Sequence, residues 1–144
     1  MRFLATLLVL MVSALSVEAV AADVNKATLY KNPECGCCEG HAAYLARNGF
    51  DVTVVNTNDL SAIKKQYEVP THLEGCHTTL VGGYVVEGHV PISILNRLLS
   101  ERPDIRGISL PGMPEGSPGM TGEKVWPFVI FEITDGELQI YAVE

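Results

Sequence analysis

The chain has 144 residues, is 47% hydrophobic and 19% charged, and carries a formal net charge of −7 at pH 7. That length suits one domain with a packed core and falls short of two independent ones. The acidic balance, with no basic run, argues against nucleic acid as a partner and leaves a surface that mildly attracts cations.

The N-terminus reads as an export signal. Arg2 precedes an almost unbroken apolar stretch from Phe3 to Leu15, and Ala19-Val20-Ala21 supplies the small residues of a cleavage site. Residues 1–21 are therefore expected to be a secretory signal peptide, and residues 22–144 one exported domain, periplasmic or secreted. Glu18 limits the apolar run to about 15 residues, short of the roughly 20 that span a bilayer, so no stable membrane anchor is expected.

Lys26 to Lys31 reads as a short strand that stops at Asn32-Pro33, where proline cannot donate to a ladder. Three cysteines follow. From Glu39 onward Ala42, Ala43, Leu45 and Ala46 fall at near-helical spacing, and Asn48-Gly49 supplies a left-handed stop. Phe50 to Val55 alternates as a strand, and Asp59 caps a second helix that must end before Pro70. Two strands flank Gly82-Gly83, a two-residue hairpin signal, and Pro91 opens a third helix with Ile92, Leu95, Leu98 and Leu99 on its apolar face. The order β-α-β-α-β-β-α is the succession of a thioredoxin-like α/β domain, an expectation by fold analogy. Residues 103–124, rich in proline and glycine, read as one long loop, either disordered or functional. Val125 to Ile133 and Leu138 to Val143, joined across Asp135-Gly136, close the chain as a last hairpin.

The chemistry centres on "NPECGCCEGH". Cys35 and Cys38 form a C-x-x-C between a strand and a helix start, where backbone amides and the helix dipole favour the thiolate, which is both nucleophile and metal ligand. A dithiol oxidoreductase has no use for Cys37. In a thioredoxin-like fold the segment entering the central hairpin faces the C-x-x-C and usually carries a cis-proline; here it is Gly75-Cys76-His77-Thr78, with soft donors in that place. Metal binding is thus favoured over thiol exchange. Crowded thiolates suit a bridged Cu(I) cluster of more than one ion, with a structural zinc site as an alternative.

Other candidates surround this set. Met113 and Met120, the only methionines after residue 21, both lie in the long loop as possible thioether ligands for copper or as plugs packing the loop down. His77 has the best claim among the histidines to be a ligand or a donor beside one. His41 could overhang the site or face solvent, His89 could ligate or cap a helix, and His72 reads as loop decoration. Neither a nucleophile–base triad nor a phosphate loop is visible, so no conventional enzyme is indicated.

Together "LYKNPECGCC", "GCHTTLVGGYVVEGHVP" and "LPGMPEGSPGM" resemble the CopG-type periplasmic copper-resistance proteins, from about Ala27 to Met120. The resemblance implies a thioredoxin-like domain whose Cys35, Cys37, Cys38 and Cys76 hold copper in a sulfur-bridged cluster. It also implies a role in copper resistance beside other copper-export proteins. The sequence departs at His41, near which members often carry tryptophan. A thiol–disulfide oxidoreductase using Cys35 and Cys38 is the alternative from a different class.

Overall fold

The computed structural model describes residues 25–144. The expected signal peptide and the first residues after it lie outside the described residues. The described residues form three α-helices and a seven-stranded mixed sheet, in sheet order β2-β1-β3-β4-β5-β6-β7.

Strand β1 (Lys26–Lys31) buries Ala27, Leu29 and Lys31 on one face. Helix α1 (Gly36–Arg47) then buries Cys38, His41, Ala42 and Leu45, the i, i+3, i+4, i+7 stripe of a helix against a sheet. It starts three residues earlier than its apolar spacing indicates, because Gly36, Cys37 and Cys38 form its first turn. Asn48 donates from its side chain to the Tyr44 carbonyl at 2.8 Å, and Gly49 at φ 90° turns the chain into β2 (Asp51–Asn56). β2 pairs with β1 in parallel. Helix α2 (Leu60–Gln66) is capped by Asp59, which accepts from the Ala62 N–H at 3.1 Å.

A 3₁₀ turn (Thr71–Leu73) leads into β3 (His77–Val81), antiparallel to both β1 and β4 (Tyr84–Gly88). Gly82 and Gly83, at φ 57° and 88°, make the expected tight hairpin turn, which L residues enter only with strain. Helix α3 (Ile92–Glu101) buries Ile94, Leu95 and Leu98, each contributing roughly 1.5–3 kcal/mol of hydrophobic stabilisation.

The structure adds a strand within the expected long loop: β5 (Gly107–Leu110), parallel to β4. All four of its residues are buried, so it has no polar–apolar alternation to betray it. Gly107 crosses so close to β4 that a Cβ there would lie 1.7 Å from the Val85 carbonyl oxygen. Strands β6 (Val129–Ile133) and β7 (Ile140–Val143) form the final hairpin, shorter than Val125 to Val143 suggests. Alternation sorts the core. Tyr84 and Val86 point toward α1 and α3 with Leu45, Leu95 and Leu98, whereas Val85 points to the other side with Val69, Leu73 and Ile133.

Candidate metal centre

Two chain segments far apart in sequence meet because β1 and β3 are neighbours, with Lys31 opposite His77. One end of that pairing feeds the first turn of α1, which carries Cys37 and Cys38 with Cys35 as the preceding cap residue. The other is entered through Cys76. All four sulfurs lie within 4.8 Å of one another. Cys35 and Cys38 are joined as a disulfide, leaving Cys37 and Cys76 as free thiols. Cys37 Sγ stands 3.5 Å from Cys35 Sγ, and Cys76 Sγ stands 3.5 Å from Cys38 Sγ.

Lys31 fastens the approach to this turn. It is fully buried, and its ammonium donates to the carbonyls of Asn32 at 3.2 Å and Pro33 at 3.1 Å and pairs with Glu39 at 2.8 Å. The loop before the cysteines and the first turn of the helix are thereby tied to one point.

The histidines form a second layer. His41, His77 and His89 are all buried, with ring centroids 4.8–5.0 Å apart. Their tautomers follow from the carbonyls around them, which can only accept. His41 Nε2–H donates to the Val90 carbonyl at 3.2 Å, so its Nδ1 is bare and accepts from His77 Nε2–H at 2.9 Å. His77 therefore presents an unprotonated Nδ1, 3.3 Å from Cys76 Sγ. His89 Nδ1–H donates to the Pro118 carbonyl at 2.6 Å, leaving a bare Nε2 only 2.9 Å from the same sulfur. Two imidazole lone pairs thus converge on Cys76, and hydrogen bonds on the far side of each ring fix its orientation.

The electrostatics match these tautomers. Burial, reinforced by His89, lowers His41 to about 4. Burial and the neighbouring His41 and His89 hold His77 well below its ordinary value, and burial lowers His89. All three rings are neutral near pH 7, which leaves His77 and His89 able to act as ligands while both nitrogens of His41 are already engaged. The Cys76 thiol is pushed up to about 12, first by burial and then by nearby Cys37. The positive charge of Lys64 opposes this but is outweighed, so Cys76 keeps its proton.

Every histidine singled out above except His72, which is exposed on the 3₁₀ turn, belongs to this group. His41 neither overhangs the site nor faces solvent: it buttresses His77 from behind. His89 does not cap α3, whose cap residue is Pro91. The loop after β5 is folded against the site at Pro118 and Gly119, where the Gly119 backbone lies against Gly40 and His41. Met120 follows at this rim, half-buried. Met113 stands at the loop's outer end, 42% exposed and at φ 47°. Lys31, and the buried Lys64–Glu87 pair whose carboxylate accepts from the Gly75 N–H just before Cys76, were missed from the sequence because charge in a strand or helix ordinarily marks a solvated face. The only available signal was register, since Lys31 continues the Ala27-Leu29 face of β1.

A mixed α/β protein with four clustered cysteines backed by neutral imidazoles belongs to a recognisable class, one whose site is equipped for a thiophilic metal ion. Comparison with solved structures gives the family. The chain is similar to "Copper resistance protein copG" in two forms, each with 36% sequence identity and a TM-score of 0.76. Both similarities cover 83% of this chain, with 97% of the Form 2 chain and 96% of the Form 1 chain covered. The protein belongs to the copper resistance protein CopG family. Residues 73–120 also match the family described as "Protein of unknown function, DUF411". No curated protein matches the chain.

Proposed function

We propose that this protein is exported to the periplasm after cleavage near Ala21 and binds Cu(I) there through Cys35, Cys37, Cys38 and Cys76. It would hold more than one ion in a thiolate-bridged cluster and so contribute to copper resistance. His77 and His89 serve as auxiliary ligands, His41 sets the His77 tautomer, and Met113 and Met120 flank the loop that guards the site. The observation that carries this reading is the convergence on Cys76: three further sulfurs within 4.8 Å and two bare imidazole nitrogens within 3.3 Å. Thiolate selects Cu(I) and imidazole suits copper in either oxidation state, so a mixed shell is also compatible with Cu(I)/Cu(II) exchange. The order of elements through α3 supports a thioredoxin-like reading of this part of the fold. Among the described residues, no helix is long and apolar enough to cross a membrane.

Copper loading of all four sulfurs first requires an external dithiol reductant to deliver two electrons and two protons to the Cys35–Cys38 disulfide, the dithiol itself ending as a disulfide. Each thiol then gives up its proton to the metal, so binding releases protons. The test is anaerobic Cu(I) titration of reduced protein. More than one copper per chain, falling in Cys37→Ser and Cys76→Ser, is expected. At most one copper, unchanged by Cys37→Ser, overturns the cluster.

The disulfide itself favours a second reading, a thiol–disulfide oxidoreductase. Disulfide reduction of a model substrate that survives Cys37→Ser and Cys76→Ser but is lost in Cys35→Ser would establish it. A single tetrahedral zinc, with bonds of about 2.3 Å, places sulfurs about 3.8 Å apart and also suits this spacing. Metal analysis of protein loaded under reducing conditions separates zinc from copper.

A further inference from the structure

We propose that Glu87, paired with Lys64, is a positioning residue that holds the Cys76–His77 segment in place from the opposite face of the sheet. The inference rests on the reading of Cys76 as a copper ligand, but its geometry stands on its own. Glu87 shares the α2 side of β4 with Val85, whereas His77 packs on the α1 side among the other imidazoles. Its carboxylate is fully buried and uses both oxygens. Oε2 accepts from the Gly75 N–H at 2.8 Å and from Lys64 Nζ at 2.5 Å, while Oε1 accepts the hydroxyl proton of Thr78. Gly75 and Thr78 are the residues immediately before and after the Cys76–His77 pair. One carboxylate therefore fastens both ends of the dipeptide that brings the fourth sulfur and the best-placed imidazole to the site.

Ladder geometry could not do this alone. Thr78 is paired with Glu87 in the β3–β4 register, but Gly75 lies before the strand. There the chain runs so tightly over β4 that a Cβ on Gly75 would sit 2.6 Å from the Gly88 nitrogen. A side chain from β4 is what anchors that backbone N–H. The cost is a buried ion pair: Lys64, on α2, is 4% exposed and also donates to Thr78 Oγ1 at 3.3 Å. An apolar pair of the same volume would commonly be as stable or more so. Stability therefore does not explain the pair, whereas a two-armed acceptor beside Cys76 does.

Two double variants separate charge from fastening. Lys64→Met/Glu87→Gln removes both charges and keeps an amide oxygen for the Gly75 N–H and an amide N–H for Thr78 Oγ1. Lys64→Met/Glu87→Leu removes both charges and both arms. The first readout needs no metal: the rate of Cys76 alkylation by iodoacetamide relative to Cys37 in reduced, metal-free protein, resolved by peptide mass. The second is Cu(I) affinity. The Leu variant is expected to shift the alkylation ratio and weaken Cu(I) about tenfold or more, with the Gln variant within about threefold of wild type. Thr78→Val removes one arm with little change in volume and shifts both readouts in the same direction, which keeps the test open if the Leu variant does not fold. Wild-type values for both readouts in a folded Leu variant, or in Thr78→Val where the Leu variant is unfolded, overturn the proposal. A shifted alkylation ratio in a chain whose wild type takes up no copper supports the positioning role and removes the copper reading instead.

Discussion

At the scale of single residues, the site depends on groups that a sequence hides. The four cysteines were legible because three thiols in four positions have few explanations, and Cys76 because it directly precedes a strand of the hairpin. The roles of the histidines were only partly legible. Tautomers depend on which carbonyl lies behind each ring, and Val90 and Pro118 are distant in sequence from the rings they orient. Lys31 was illegible for a different reason: a lysine ending a strand normally reaches solvent, and here two loop carbonyls and Glu39 hold it inside. Lys31→Met should strand both carbonyls and cost about 1–3 kcal/mol. Thermal melting of the reduced, metal-free variant should show a midpoint several degrees lower. An unchanged midpoint would show that the ammonium is dispensable.

At the scale of elements, the strong periodic segments read true and the irregular ones did not. α3 and the β3–β4 hairpin declared themselves through an apolar stripe and a Gly-Gly turn. β5 lay hidden among prolines and glycines because a short, wholly buried strand carries no period. Its discovery divides the long loop: residues 107–110 belong to the sheet, and Pro118 and Gly119 fold back against the site. The seating of that segment is tested at Gly119. A Cβ there would meet the His41 nitrogen at 2.4 Å, and the backbone is at φ 86°. Gly119→Ala should lift Pro118 from His89 and speed amide exchange across residues 116–121 while leaving the sheet protected. Gly112→Ala is the control, with a similar φ of 78° but open space around it. Equal exchange in the two variants would mean that the close contact with α1 does not seat the loop.

At the scale of the whole molecule, the three buried histidines set an acid limit on the metal-free fold. Each has a folded-state pKa below its unfolded value, so below about 6.5 the unfolded chain binds more protons. Their contribution is present at neutral pH and is lost as pH falls from about 6.5 toward His41's value of about 4. Glu87, raised by burial, acts in the opposite direction but is one group against three. Urea denaturation of reduced, metal-free protein should therefore show stability dropping by on the order of a few kcal/mol between pH 7 and pH 5. His41→Phe should flatten that slope, and a slope equal to wild type would count against the neutral-ring arrangement. The order of strands was only partly visible, since hydrophobic pattern gives elements and not their neighbours. The adjacency of β1 to β3, with β2 outside them, has a kinetic corollary. The cysteines at 35–38 and Cys76 become neighbours only after a loop containing β2 and α2 has closed, a step that pays its entropy before any long-range contact forms. An unfolded chain thus keeps Cys76 apart from the three thiols at 35–38, and the four-sulfur cluster arises as a late product of folding.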